Sequence, residues 1–138
     1  MLLAGTDDLW RNVAATPADK LDWKPEEKGR SIRELLEELV SATNYGAAVL
    51  ATKSPAMDAY VAHPGLEAAE LESLHRAAVK GFISAMKSFP QAELDDKVEL
   101  PWGAQPYFDS VSYTYWNLMY HNGQIGYIQT LYGDKETH

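Results

Sequence analysis

Apolar residues recur at helical spacing in four segments of the chain, and clusters of proline separate these segments. Because proline interrupts a helix, the segments between the clusters are the predicted helices. The pattern predicts a short helix over about residues 6–15 and longer helices over about 31–51, 66–89 and 109–132. Amphipathic helices without paired strands predict an all-α fold, an antiparallel up-down four-helix bundle, in a single domain over residues 1–138.

Residues with capping side chains mark the predicted helix starts. Thr6 is expected to cap the first helix, which looks short. Ser31 and Glu34 match the S-x-x-E capping box at the start of the second helix. Asp109 or Ser110 is expected to cap the fourth helix.

The helical pattern breaks between residues 91 and 106, where residues 98–103 read Val-Glu-Leu-Pro-Trp-Gly. This composition predicts an extended loop with an aromatic tip, either irregular or a short hairpin, before the last helix. Trp102 in this loop and Trp23 before the second helix could cover a pocket. We expect instead that both cover open ends of the core, because each stands beside a proline.

Polar side chains interrupt the apolar stripe of the last helix. The stripe consists of Tyr113, Asn117, His121, Gln124, Ile128 and Leu131. Burying an unpaired amide or imidazole costs about 1–3 kcal/mol, so these polar groups need partners. They either line a ligand pocket or hold the helices in register through buried hydrogen bonds. His121 could be a metal ligand or a general base, but its spacing favours a buried, hydrogen-bonded histidine.

A second stripe on the last helix is aromatic, formed by Trp116, Tyr120, Gly123 and Tyr127. The simpler interpretation is that these aromatics are core residues and that Gly123 and Gly126 let another helix approach closely. The alternative is a face that packs against a second subunit, because a helix that is apolar nearly all round is buried on more than one side. A homodimer is the assembly we expect.

Charge and composition exclude several functions. Twelve basic and 20 acidic residues give a net charge of -8, which argues against nucleic acids or anionic membranes as partners. The absence of cysteine excludes disulfides, thiolate nucleophiles, iron–sulfur clusters and cysteine-ligated zinc. No signal peptide or membrane-spanning stretch is recognisable, so a cytoplasmic location is expected.

Three short motifs carry a family resemblance. Residues 21–25 (LDWKP) precede residues 29–36 (GRSIRELL), and residues 120–125 (YHNGQI) follow the proline-tryptophan loop. Together these motifs resemble the DinB-like superfamily of bacterial four-helix bundles over nearly the whole chain. The resemblance implies an up-down bundle, often dimeric. In many members it also implies a divalent metal held by three histidines.

The resemblance preserves one of the three metal-ligand positions. The last histidine of the family matches His121, the preceding one falls on Asn117, and the one in the second helix falls on Glu38. Glu38 and His121 could hold a divalent ion such as zinc, nickel or manganese, with Asn117 at the third ligand place. Glu38 lies about 100° from the centre of the apolar stripe of its helix, which predicts a solvated side chain. His75 is predicted to be a core or partly exposed residue.

Three functions are consistent with these observations, and the activity itself is unassigned. The first is a divalent-metal-dependent hydrolase or thiol transferase that uses His121 and Glu38. The second is a metal-free bundle that binds a small molecule in a pocket lined by Asn117, His121 and Gln124. The third is a stress-associated dimeric bundle whose polar stripe is structural. We rank the two metal-free functions above the first, because most of the ligand set is replaced.

Overall fold

Four helices and one β-hairpin make up the fold in the computed structural model, which describes all residues 1–138. The predicted four-helix architecture is confirmed, with a short hairpin before the last helix. None of the helices combines the length and the apolar character that a membrane-crossing segment requires. The elements in chain order are α1 (Leu2–Ala14), α2 (Ile32–Thr52), α3 (Ala68–Ser88), β1 (Lys97–Leu100), β2 (Gly103–Pro106) and α4 (Tyr107–Leu131).

Helix α2 is the central element, because it packs against both α3 and α4. Its start is the predicted capping box. The Ser31 hydroxyl accepts a hydrogen bond from the Glu34 amide (3.2 Å), and the Glu34 carboxylate accepts one from the Ser31 amide (2.9 Å). The helix ends at Thr52, and the next residue, Lys53, adopts a left-handed conformation with φ 53°.

Two helices begin earlier than predicted. Helix α1 begins at Leu2, and Thr6 is a buried interior residue whose hydroxyl donates to the Leu2 carbonyl (2.9 Å). A threonine bonded in this way to the preceding turn resembles a cap in sequence but does not start a helix. Helix α4 begins at Tyr107, directly after Pro106, so Asp109 and Ser110 lie inside its first turns. Proline suits this boundary because its ring clashes with a preceding turn of helix and it has no backbone N–H to donate, so a helix rarely extends to its N-terminal side.

The segment before α4 is a hairpin with a two-residue turn. β1 and β2 pair antiparallel from Lys97 opposite Pro106 to Leu100 opposite Gly103. Gly103 has φ 122°, a conformation that favours glycine. Val98 and Leu100 are buried against Phe82 and neighbouring residues. The hairpin is therefore anchored to the bundle by its inward residues.

The core consists of two clusters. The larger one joins all four helices. The smaller one lies where the hairpin meets the helices and contains Tyr45, Val49, Leu50, Phe82, Val98, Leu100 and Tyr107. Next to the smaller cluster, α2 approaches α4 closely at Gly46. A Cβ atom at Gly46 would lie 2.8 Å from Thr114 Oγ1 and 3.4 Å from the Phe82 ring.

Candidate functional site

Four of the predicted site residues form one hydrogen-bonded cluster between α2 and α4. His121 is only 2% exposed, and its Nε2 lies 2.6 Å from Oε2 of Glu38. His121 Nδ1 lies 2.7 Å from Gln124 Oε1, and Asn117 Nδ2 lies 3.2 Å from His121 Nε2. We call Glu38, Asn117, His121 and Gln124 the polar cluster.

The prediction that Glu38 is solvated was wrong. Its side chain is 22% exposed and pairs with His121. Helical periodicity places Glu38 at the edge of the apolar stripe, but the connection between α2 and α3 covers this edge. Within that connection, the Val61 carbonyl accepts a hydrogen bond from Ser41 (2.6 Å), less than one turn from Glu38. The burial of Glu38 therefore depends on a contact that is distant in sequence.

The proton positions in the polar cluster follow from its contacts. His121 Nδ1 faces Gln124 Oε1, an oxygen that can only accept, so Nδ1 carries a proton and donates to it. Asn117 Nδ2 can only donate, so a neutral ring accepts this hydrogen bond at Nε2. A second proton at Nε2 would make the contact with Glu38 Oε2 a charged pair.

Glu38 is held as an anion. Burial raises the pKa of this carboxyl. The hydrogen bond from His121 and the charges of His121 and Arg30 together lower the pKa by more than burial raises it, so the pKa lies below the usual value. Arg30 Nη1 also donates to Oε2 (3.0 Å). Both partners thus use the same oxygen, and Oε1 makes no hydrogen bond within the chain.

A cavity of about 500 Å³ adjoins Glu38. Asn117, His121 and Gln124, predicted to line the ligand pocket, do not line this cavity. They connect to its wall through Glu38, which contacts His121, and through Tyr113, which bonds Asn117. The Trp102 indole N–H donates to Gln105 Oε1 (3.0 Å), which fixes the ring at the hairpin turn. The residues that line the cavity are Glu38, Ala42, Tyr45, Gly46, Val49, Met57, Tyr60, Leu100, Trp102, Gln105, Ser110 and Tyr113.

Aromatic residues form much of this wall, and the sequence pattern singled out neither Tyr45 nor Tyr60 among them. The ring centroids of Tyr45 and Trp102 are 5.9 Å apart, and those of Tyr45 and Tyr60 are 6.3 Å apart. Tyr45 is 9% exposed, and its buried hydroxyl has no hydrogen-bond partner. Tyr60 and Trp102 belong to connections without a helical period, so no local signal indicated that they meet Tyr45.

The residues at the family's metal positions do not fit a three-ligand divalent metal site. Metal ligands stand about 2.0–2.2 Å from the ion and direct a lone pair at it. Glu38 and His121 instead stand in direct contact, with Oε2 only 2.6 Å from Nε2. Asn117 Oδ1 is buried without a partner, but an amide oxygen is a weak ligand for zinc or nickel. The chain contains no group of three His, Cys, Asp or Glu residues placed to hold a metal ion.

The second stripe of α4 lies on the surface, so its interpretation as core was wrong. Trp116 stacks on Tyr120 with ring centroids 5.1 Å apart, and both rings are about half exposed. Tyr127 is 66% exposed. A Cβ atom at Gly123 would meet nothing within 4 Å, so no helix of the chain approaches there. We call Trp116, Tyr120 and Tyr127 the aromatic face.

His75 is a core residue, within the range predicted from the sequence. It is buried on α3, and its Nδ1 accepts a hydrogen bond from the Trp10 indole of α1 (3.0 Å). Burial, and to a smaller extent the nearby Arg76 charge, lower the pKa of His75 to about 4. The ring is therefore neutral at neutral pH and joins two helices.

Comparisons with known proteins agree with the architecture. A family model described as the DinB superfamily matches residues 1–125. The structure resembles the crystal structure of a DinB-like protein from Bacillus subtilis, YjoA, with a TM-score of 0.78 and 14% sequence identity, covering 99% of this chain and 92% of that chain. No functionally curated protein matches the sequence. The bundle, the motifs and the family match together show that the chain belongs to the DinB superfamily.

Proposed function

We propose that this protein binds a small molecule, without a metal, in the cavity beside Glu38. The observation that carries the proposal is the cavity itself, about 500 Å³ with eight hydrophobic residues among its 12 lining residues. Small-molecule sites in proteins have this size, and their apolar walls carry a few fixed polar groups that orient the ligand. Here the charged group is Glu38.

The polar cluster supports this function by fixing Glu38. His121 and Arg30 both bond Oε2 of Glu38, and Gln124 bonds the other nitrogen of the His121 ring. A side chain held from several directions loses little entropy when a ligand binds, which raises affinity. In this proposal His121 and Gln124 are positioning residues, and Glu38 touches the ligand.

The metal-dependent hydrolase or thiol transferase ranks second. It would require Glu38 and His121 to separate, which would break a contact that keeps both groups paired between the helices. We expect protein purified without chelator to hold less than about a tenth of an equivalent of zinc, nickel or manganese. Near-stoichiometric metal that disappears in His121→Ala would reverse this ranking.

A fragment screen tests the proposed function. We expect ligand-observed NMR to find apolar-bodied fragments that bind the wild-type protein and bind Ala42→Leu about tenfold more weakly, because Ala42 lines the cavity and a larger side chain fills it. Ala77→Leu, on the exposed surface of α3, is the matched control and should bind like the wild type. Absence of fragment binding, or binding that Ala42→Leu leaves unchanged while circular dichroism shows it folded, would overturn the proposal.

A second function is supported by the aromatic face, which we propose packs against a second copy of the chain. Tryptophan and tyrosine are enriched in the centres of protein interfaces, and three large rings on one helix surface are unusual for a monomer. Trp116, Tyr120 and Tyr127 are each exposed by about half or more. The stress-associated role remains a prediction from the sequence.

A further inference from the structure

The cavity wall carries a single formal charge. Glu38 is the only charged residue among its lining residues, and no Lys, Arg or His contributes to the wall. Arg30, which donates to Glu38 Oε2, lies in a neighbouring groove and not in the cavity wall, and Glu38 borders both. An anion at an otherwise largely apolar surface favours a cationic ligand over a neutral or anionic one. A ligand carboxylate would have to lose its hydration beside Glu38 and would gain no counter-ion.

The aromatic rings add to this preference. Tyr60 and Tyr113 line the cavity together with Glu38, and burial together with the Glu38 charge raises the pKa of both hydroxyls. That effect of Glu38 places both hydroxyls near its carboxylate, and both tyrosines remain neutral. The faces of aromatic rings attract cations. A positive group bound at Glu38 would therefore also be near two aromatic rings.

One oxygen atom of the cavity wall, Glu38 Oε1, makes no hydrogen bond within the chain, since Arg30 donates to Oε2 and His121 contacts that same oxygen. A ligand that donates to Oε1 is therefore favoured. An ammonium group carries several N–H donors, whereas an alcohol carries one.

We propose that the cavity binds a protonated primary or secondary amine with an apolar body. The ammonium group donates to Glu38 Oε1 among the rings of Tyr60 and Tyr113. The apolar body packs against the hydrophobic part of the wall, which includes Val49 and Leu100. This inference rests on the proposed ligand-binding function and adds the chemical class of the ligand.

Calorimetric titration with three probes of nearly equal size tests the inference. The probes are phenethylammonium, phenethyl alcohol and hydrocinnamate, which differ mainly in charge. We expect phenethylammonium to bind at least about tenfold more tightly than phenethyl alcohol, and hydrocinnamate to bind more weakly than either. In Glu38→Gln the ammonium and the alcohol should bind within about twofold of each other. Glu99→Gln makes the same charge change on an exposed residue of β1 and should preserve the wild-type order.

The outcomes separate this inference from the function on which it rests. If phenethyl alcohol binds the wild type as tightly as phenethylammonium, the cationic class is wrong while ligand binding stands. If none of the probes binds, the inference is overturned, and the fragment screen with Ala42→Leu decides the ligand-binding function by itself. Glutamine at position 38 still offers a side-chain oxygen to Arg30. Should Glu38→Gln nevertheless fail to fold, the order of the three probes on the wild type decides alone.

Discussion

Glu38 on α2 and His121 on α4 are joined by a direct contact, with Oε2 of the carboxylate 2.6 Å from Nε2 of the imidazole. Both residues stand where the family resemblance places metal ligands. The fold therefore still brings these positions together, as a direct contact between a carboxylate and an imidazole. A contact between two side chains takes the place that an ion would have as the link between the helices.

Loss of His121 is expected to destabilise the protein. His121→Ala removes a buried ring and leaves the Glu38 carboxylate with only Arg30, an exposed partner. We expect the free energy of unfolding to fall by about 2–3 kcal/mol, measured by urea denaturation. His138→Ala removes another ion-paired histidine, at the chain terminus, and should cost less than about 0.5 kcal/mol. Equal stability of the two variants would show that the polar cluster does not stabilise the bundle.

Stability should fall when the solution is acidified, because of His75. Its pKa is about 4 in the folded protein against the usual 6.5, so the unfolded chain takes up a proton first. The contribution is complete above pH 6.5 and is lost as the pH falls towards 4. Between pH 7 and pH 5 the free energy of unfolding should fall by about 2 kcal/mol.

The control for this pH dependence is His75→Gln, which can still accept the Trp10 indole hydrogen bond but does not titrate. Its loss of stability between pH 7 and pH 5 should be less than about half that of the wild type. The lowered pKa values of Glu38 and Asp22 cause a further loss of stability only at lower pH. That loss begins when the pH falls below the usual pKa, which is 4.5 for Glu38 and 3.8 for Asp22. A variant with the full wild-type slope would assign the effect to other groups.

Alanine at two glycine positions should have opposite effects. In Gly46→Ala the new methyl group would lie 2.8 Å from Thr114 Oγ1, so α2 and α4 must move apart. We expect a loss of about 1–3 kcal/mol. In Gly81→Ala the methyl group meets nothing within 4 Å, and a helical alanine should gain up to about 1 kcal/mol. Thermal unfolding of both variants checks the pair, and a neutral Gly46→Ala would contradict the close approach of α2 to α4.

The aromatic face gives a prediction about assembly. Trp116→Glu places a charge next to the stacked Tyr120 ring and should convert a dimer into a monomer in sedimentation velocity at micromolar concentration. Ala77→Glu adds the same charge on the exposed surface of α3 and should remain dimeric. A wild-type protein that sediments as a monomer would end the proposal that a second copy covers this face.

The features that the sequence predicted are those with local signals. The capping box of Ser31 and Glu34 and the stripe of α2 lie within one segment, and both are observed. The close grouping of Asn117, His121 and Gln124 also follows from spacing along one helix. The start of α1 was missed because the hydrogen bond that Thr6 makes within the helix cannot be distinguished in sequence from a cap.

The features that the sequence did not predict depend on contacts between distant segments. Glu38 is covered because the connection around Val61 crosses α2, and the helical periodicity of α2 contains no signal of that contact. The cavity exists because Tyr60 and Trp102, from two connections, meet Tyr45. Helix α4 carries apolar or aromatic residues on nearly every face, so its sequence pattern does not show which face is exposed.

Different residues of the hairpin anchor it in the core and form part of the cavity wall. Val98 and Leu100 anchor β1 in the core, whereas the turn residue Trp102 lies outside the core and borders the cavity. A two-residue turn on an anchored hairpin can change its side chains or length with little effect on helix packing. Relatives of this protein could therefore acquire new ligands through substitutions at residues 101 and 102 alone, while Glu38 and its partners keep the same arrangement.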